Sequence, residues 1–210
     1  MTAEVQRKFD QILSELERLG LLLSWDSSFP SVTQMVAGRP LRGSWWSHES
    51  AHTIFAVSEM LADHKDVLMT KLLAGKVTYV HRKLWRRVFS IGVARDDWQV
   101  KKLSPAAKSL LKLLDEQDTI QAHKLGKSLG AKPGDAAREL ELRLLVHARQ
   151  IHTESGRHSK ILETWPVWAK RVGFRGLAQD SVAARRFLEE RVHSIGTYPL
   201  KFFPWPAELI

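Results

Sequence analysis

The sequence predicts an α+β protein that is mainly helical, and three observations support this class. Apolar residues recur at three- and four-residue spacings from about Ala3 to Leu21, which is typical of an amphipathic helix. Segments 67–71 and 76–80, rich in Val, Thr and Tyr, flank Ala74-Gly75 and predict a β-hairpin. Residues 103–165 then run as helix, short segment, helix, turn, helix and hairpin. Helices therefore dominate, and the strands lie in two hairpins.

The first hundred residues predict a helical lobe that contains the first hairpin. Ser31 can cap a short helix that Gly38 stops. Residues 82–93 return to a helical pattern after the hairpin. A longer helix is predicted from about Ser47 to Ala62, and its expected buried stripe is Ala51, Ile54, Phe55, Leu61 and Ala62.

The middle of the chain predicts a winged helix-turn-helix module. Ser104 is a candidate N-cap, and Pro105 occupies the first helical position of its opening helix. A hairpin directly after the third helix corresponds to a wing. The predicted elements are a second helix from His123 to Leu129, a turn at 131–134, a third helix from Asp135 to about Leu144, and strands at 145–153 and 158–165.

These elements suggest three domains. Residues 1–102 form the N-terminal α+β lobe, and residues 103–170 form the winged helix packed on it. The polar run at 96–102 is the predicted boundary between the two. Residues 171–210 contain a helix that Ser181 can cap and an aromatic, proline-rich tail, which we expect to pack back on the lobe. A partner-binding segment is the alternative interpretation of that tail.

Composition limits the classes of protein to which the chain can belong. The 210 residues include no cysteine, which excludes disulfides, thiolate catalysis and cysteine-based zinc sites. No run of about 18 apolar residues and no leader-like N-terminus occurs, so we expect a cytoplasmic protein without a membrane partner. The net charge of +9 and the isoelectric point near 9.9 favour a polyanionic partner, with a basic protein that binds no polyanion as the alternative.

The positive charge is concentrated before the predicted module. Between residues 65 and 102 there are ten Lys or Arg against three Asp, a net charge of +7. Arg82, Lys83, Arg86 and Arg87 surround Trp85 at the start of a helix, an arrangement suited to phosphate contacts and base stacking. The alternative is a solvated helix face, and for Trp85 itself we favour a place in the core.

The module has its own candidate contacts. Arg138 lies on the outer face of the third helix and is the obvious side chain to reach a groove, although two carboxylates flank it. Arg157, His158 and Lys160 near the tip of the wing would contact phosphate rather than bases. A winged helix that binds protein or serves as a scaffold is the alternative, because fold alone does not determine function.

Residues 48–52 match the metalloprotease pattern H-E-x-x-H. In that pattern His48 and His52 would share one helix face and bind zinc, while the Glu between them activates water. Glu59 would be a third ligand, with Asp63, His64 and His81 as alternatives. The preceding segment is too short and too polar for such an enzyme, so we expect no metal, and His48 can instead be a buried, hydrogen-bonded histidine.

Three short segments together resemble a known family. They are FPSVTQMVAGR at 29–39, Trp45-Trp46-Ser47, and KLLAGKVT at 71–78, and they precede the predicted winged helix. Their order resembles the AlkZ-related branch of the crosslink-repair DNA glycosylases over most of residues 10–165. The resemblance implies a winged-helix protein of DNA repair that binds duplex DNA. A glycosylase of this kind hydrolyses the bond between a damaged base and its sugar and needs no cofactor.

The resemblance also implies site residues. Active members of the parent family carry Gln, an apolar residue, and then Gln or Asp early in the chain, and Ser24-Trp25-Asp26 is the nearest match. By this match Asp26 positions water, and Ser24 stands where Gln is expected. Trp45 and Trp46 would be walls against a displaced nucleotide. The alternative role for Asp26 is to cap the turn that follows it.

Three functions therefore stay open. The first is a DNA-binding winged-helix protein of DNA repair, glycosylase-like if it is catalytic. The second is a non-catalytic DNA-binding or regulatory relative, and the third is a zinc hydrolase that uses residues 48–52. The lesion, the sequence preference and the oligomeric state are not indicated by any pattern in the chain.

Overall fold

The structure, a computed structural model, describes residues 2–41, 43–125, 133–152, 158–196 and 202–207. Within these ranges it confirms the α+β class, with helices predominating and the strands arranged in two three-stranded antiparallel sheets. The helices are α1 Ala3–Leu19, α2 Val32–Ala37, α3 Ala51–Asp63, α4 Trp85–Ala94, α5 Asp97–Val100, α6 Pro105–Gln117, α7 Pro133–Leu142, α8 Trp165–Arg171 and α9 Ser181–Ile195. The strands are β1 Leu21–Leu23, β2 Val67–Leu73, β3 Lys76–His81, β4 Thr119–Gln121, β5 His147–His152 and β6 His158–Glu163.

The chain divides into two compact units. The first comprises residues 1–85 with 187–202, and the second comprises residues 86–186 with 203–210. The bounds of these units differ from those of the three predicted domains, residues 1–102, 103–170 and 171–210, and that division into domains stays a prediction. In the ranges that the structure describes, none of the helices combines the length and apolarity needed to cross a membrane.

In the first unit, local signals determine where the helices begin and end. The Thr2 hydroxyl accepts a hydrogen bond from the backbone of α1, and Ser31 does the same for α2. Helix α1 ends at Gly20, whose φ of 89° favours glycine. A Cβ atom there would lie 2.7 Å from Leu84 Cδ1. The sheet has the order β1-β3-β2, and apolar residues of α1, α2 and α3 pack on it to form the core.

Two expectations about helix α3 are wrong. The helix begins at Ala51 rather than Ser47, because Trp45–Ser47 form a separate 3-10 turn. Phe55 and Ala62 were expected in the buried stripe but are exposed, Phe55 to 45%, and Ala51 is half-buried, whereas Ile54 and Leu61 are buried as expected. The apolar face of α3 is therefore narrower than its composition suggests.

The core position expected for Trp85 is confirmed. Its side chain is buried, and its indole Nε1 donates a hydrogen bond to the Val80 carbonyl at 3.1 Å. Arg82 lies over the ring of Trp85, with 5.4 Å from its Cζ to the ring centre. This tryptophan therefore anchors the start of α4 to strand β3 and has no face free for a base.

In the second unit, α6 and α7 pack together over a sheet of order β4-β6-β5. Helix α6 starts as expected, with Ser104 Oγ accepting a hydrogen bond from Ala107 N at 3.2 Å. The Glu139 carboxylate accepts hydrogen bonds from both the backbone N–H and the hydroxyl of Ser104, so α7 helps to cap α6. The predicted second helix reaches into 126–132, outside the described residues. Its described part is a 3-10 turn, Ala122–Lys124.

The C-terminal segment contributes to both units. In the first, Arg191 donates hydrogen bonds to the Leu19 and Arg18 carbonyls at the end of α1. In the second, buried Arg185 pairs with Asp96. The aromatic tail supplies a buried Trp205, whose ring packs edge-on against a tryptophan of α5. Trp205, in the described part of the tail, is therefore part of the packed structure.

Candidate functional site

The segment that the family resemblance singles out directly follows strand β1. Leu23 is paired with Thr78, and the Ser24 backbone N–H donates a hydrogen bond to the Val77 carbonyl at 2.9 Å. This pairing brings the end of β1 to the start of β3, beside the turn at residues 74–75. Asp26 is thereby placed next to a strand that lies about fifty residues later in the sequence.

Both oxygens of the Asp26 carboxylate are engaged. Oδ1 accepts hydrogen bonds from the backbone N–H groups of Ser28 at 2.7 Å and Phe29 at 2.9 Å. Oδ2 accepts a hydrogen bond from Lys76 Nζ at 2.7 Å. Asp26 is 5% exposed. The residue therefore does cap the following turn, and at the same time it forms an ion pair between two distant segments.

The surroundings of Asp26 keep its carboxylate ionised. Burial by itself would raise the pKa of Asp26, since desolvation disfavours the charged form. The hydrogen bond from Lys76 and those from the backbone of Ser28 and Phe29 outweigh burial, and the pKa is lowered below its usual value. The result is a buried carboxylate that stays ionised at neutral pH.

Trp25 completes this cluster. Lys76 Nζ lies 4.7 Å from the centre of the Trp25 ring, within the range of a cation–π contact. The ammonium is thus held between a carboxylate and an indole face. The Trp25 Nε1 is buried and has no hydrogen-bond partner among the described residues. We refer to Trp25, Asp26 and Lys76 as the Asp–Lys cluster.

Ser24 is directed to a different partner. Hydrogen bonding from the Ser24 and Ser58 side chains lowers the pKa of the buried Tyr79 hydroxyl, against the larger effect of burial. Burial raises the pKa of Tyr79, so the phenol stays neutral and available as a hydrogen-bond donor. Ser24 and Asp26 are therefore neighbours in sequence that serve two separate polar contacts.

The predicted cations of the first unit make intramolecular contacts. Arg82 pairs with Asp66 at 3.3 Å. Lys83 Nζ donates hydrogen bonds to the carbonyls of Glu17 and Arg18, the last turn of α1. Cations are favourable there because the carbonyl end of a helix is partly negative. The phosphate contacts assigned to Arg82 and Lys83 remain a prediction.

The predicted cations of the second unit differ in exposure. Arg86 is exposed, and its Nε donates a hydrogen bond to the Leu177 carbonyl at 3.0 Å. Arg87 is partly buried and makes contacts of its own. Lys160 pairs with Glu141. Arg157 lies outside the described residues, and His158 is described only as the first residue of β6.

Arg138 is on the outer face of α7, as the sequence predicts. It lines a surface hollow with Asp135 and with Pro204 of the C-terminal tail. Arg143, directly after the end of α7, donates hydrogen bonds to the Trp98 carbonyl at 2.5 Å and to neighbouring carbonyls. The outer face of α7 therefore carries a single exposed arginine beside a carboxylate and an apolar tail residue.

The two consecutive tryptophans form a surface feature. The Trp45 and Trp46 rings are stacked, with their centres 4.0 Å apart and an angle of 22° between their planes. Trp45 packs on the core of the first unit, whereas Trp46 is 64% exposed. The pair is thus held against the core by Trp45, while the ring of Trp46 is exposed to solvent.

The geometry required for the zinc pattern is absent. His48 follows the 3-10 turn and precedes α3, and its Nδ1 accepts a hydrogen bond from the Ser50 backbone. His48 and His52 consequently do not share one helix. In the part of the chain that the structure describes, no group of three or more His, Asp or Glu side chains is suitably placed to hold a metal ion. Glu59 is exposed on α3.

Lys76 is the functional candidate that the sequence did not single out. It stands in the segment 71–78 that supports the resemblance, but no pattern there assigns it a partner. Its contact with Asp26 depends on the pairing of β1 with β3. The signal in the sequence that could have pointed to Lys76 is its position directly after the turn at 74–75.

The fold and the site define a class: an α+β protein whose described residues form two small antiparallel sheets, with an ion pair between buried Asp26 and partly exposed Lys76 at one end of the first sheet. The chain belongs to the AlkZ-related family, whose pattern it matches over residues 6–197. This confirms the resemblance read from the three short segments. No curated protein and no solved structure matches the chain.

Proposed function

We propose that this AlkZ-related protein binds duplex DNA in DNA repair and acts as a glycosylase-like enzyme on a damaged base. Family membership supports the link to repair. The observation that carries the catalytic part is Asp26, which is buried and kept ionised by Lys76 at the place where active members of the parent family carry their water-positioning residue.

A winged helix in the second unit is part of this proposal. The order α6, β4, α7, β5, β6 and the strand order β4-β6-β5 support it, because the hairpin β5–β6 directly follows α7, the helix expected to be the third of a winged helix. Its single exposed arginine on α7, Arg138, favours contacts with phosphates over the recognition of bases. We therefore expect affinity for duplex DNA with little sequence preference.

The Asp–Lys cluster suits hydrolysis of an N-glycosidic bond. As the bond from C1′ to the damaged base breaks, the base leaves with the bonding electron pair and positive charge develops on the sugar. A fixed carboxylate stabilises that charge and accepts a proton from the water that adds to C1′. Lys76 keeps Asp26 oriented and ionised for both tasks.

The test is release of a base from duplex DNA that contains alkylated or crosslinked bases. The wild type is compared with Asp26→Asn and with Asp63→Asn, a matched change at an exposed position on α3. We expect release by the wild type and by Asp63→Asn, and at least a hundredfold slower release by Asp26→Asn, in the range assigned to general acid–base groups. Equal rates for the three proteins would remove Asp26 from the reaction.

A binding protein without turnover is the second candidate, and the engagement of both Asp26 oxygens favours it. The carboxylate already accepts hydrogen bonds from Ser28, Phe29 and Lys76, so a water molecule must share or replace one of them. Ser24, at the place of the family's Gln, is bonded to Tyr79. Salt-dependent binding of duplex DNA with no base release from any lesion would support this candidate.

A further inference from the structure

An aromatic surface lies on the first unit at the junction of the 3-10 turn and helix α3. Trp46 is 64% exposed and Phe55 is 45% exposed. Their ring centres are 5.9 Å apart, and their planes are inclined by 42°. Trp45 stacks beneath Trp46 and packs on the core. We call Trp46 and Phe55 the aromatic platform.

The platform is held rigidly. Two hydrogen bonds close the turn that carries Trp46: from His48 N to the Trp45 carbonyl at 3.1 Å, and from Ser47 Oγ to the Ser44 carbonyl at 3.1 Å. The stack on Trp45 then fixes the orientation of the exposed ring. A rigid aromatic face loses little conformational entropy when a ligand stacks on it.

The two side chains contribute little to the core of their own unit. A large aromatic side chain stabilises a fold mainly through the area that it buries, and Trp46 and Phe55 leave about half of their surface or more in water. The buried side of α3 is instead supplied by Ile54, Val57 and Leu61. The exposed rings are therefore available for a ligand.

The ligand that fits best is a flat, apolar ring attached to a polyanion. Every nucleobase offers a π-face, and stacking of bases on exposed aromatic side chains is the usual means of holding unpaired nucleic acid. The net charge of +9 attracts a phosphate backbone, and the exposed Arg39 stands seven residues before Trp46 in the sequence. A paired base in a duplex presents no free face.

We propose that the aromatic platform stacks an unpaired or displaced base of DNA. The inference rests on the proposed function, because it takes DNA as the ligand, and it adds a binding site separate in role from the Asp–Lys cluster. It predicts that the protein prefers a duplex containing an unpaired base to a fully paired duplex, independently of any catalytic activity.

Anisotropy titrations of two end-labelled duplexes test this. One duplex is fully paired, and the other has the same length and a single unpaired adenine. We expect Trp46→Ala and Phe55→Ala each to weaken binding of the second duplex about tenfold, while binding of the first changes less than about twofold. Trp46→Phe, which keeps an aromatic face, retains most of the preference.

The matched control is Val182→Ala, which shortens another exposed apolar side chain, 38% exposed, in the second unit. It is expected to leave both affinities unchanged. Equal affinity of the wild type for both duplexes, or a preference that survives Trp46→Ala and Phe55→Ala together, would overturn the platform while leaving DNA binding intact. Failure of the wild type to bind either duplex would overturn the proposed function as well.

Discussion

Replacing Lys76 by Met tests the physical basis of the Asp–Lys cluster without any substrate. The change removes the ammonium that lies 2.7 Å from Asp26 Oδ2 but keeps most of the side-chain volume. Removing one partner of a fully buried ion pair costs about 3–5 kcal/mol in unfolding free energy. Lys76 is 33% exposed, and Asp26 retains its two backbone hydrogen bonds, so we expect a smaller cost of about 2 kcal/mol at neutral pH.

The pH dependence gives the sharper criterion. In the wild type the pKa of Asp26 is lowered on folding, so its carboxylate stabilises the fold above its unfolded pKa and loses this contribution as the pH falls through its folded pKa. In Lys76→Met, burial is no longer opposed by the hydrogen bond and charge of Lys76, so we expect the pKa of Asp26 to rise. Protonation then relieves the buried charge in mild acid. The difference in stability between wild type and variant should therefore shrink as the pH is lowered.

Urea unfolding at neutral pH and at roughly pH 4 measures both effects. Lys65→Met, at an exposed position of the same unit, is the control and should cost less than about 0.5 kcal/mol at either pH. Two results would refute the reasoning: a cost for Lys76→Met no larger than that for Lys65→Met, or a cost that does not change with pH.

Three further predictions concern the second unit. Gly92→Ala places a Cβ atom 2.2 Å from Trp165 Nε1, so we expect a loss of about 1–3 kcal/mol in urea unfolding, and an unchanged midpoint would contradict the packing described. Glu163 has a pKa lowered to about 2 despite its burial, by hydrogen bonds from an imidazole and a guanidinium. Glu163→Gln should therefore destabilise the protein at neutral pH, and its difference from the wild type should disappear between pH 4.5 and about 2, where the wild type itself loses this contribution. Arg86→Glu with Arg87→Glu should weaken duplex binding and lower the slope of log affinity against log salt by roughly 2, whereas an unchanged slope would remove both residues from the interface.

Much of the fold follows from signals that act over a few residues. Helix α6 begins at Pro105 with Ser104 as its cap, as predicted, because a cap and a proline act within one helical turn. The predicted hairpin β2–β3 is also confirmed. Its signals, a turn and β-branched residues, likewise act over a few residues. Strand β1 is not predicted from the sequence, because a run of three leucines has no periodicity to distinguish a strand from the end of a helix.

The candidate site could be predicted only in part. Asp26 is found through a short family pattern, and its role as a turn cap follows from its neighbours. Its partner Lys76 could not be predicted, because their contact depends on the pairing of two strands that are far apart in the chain. The histidines of residues 48–52 are the opposite case, a short pattern whose required local structure does not form. Their spacing suits a zinc site on a helix, but α3 begins only at Ala51.

The uneven burial of the eight tryptophans provides an optical reporter that needs no label. Trp46 is 64% exposed, whereas Trp85, Trp165, Trp168 and Trp205 are at most 2% exposed. A dissolved iodide quencher collides chiefly with exposed indoles, so it should remove the emission of Trp46 before that of the others. Shielding from iodide when a ligand is added would then report occupation of that one ring in the unmodified protein.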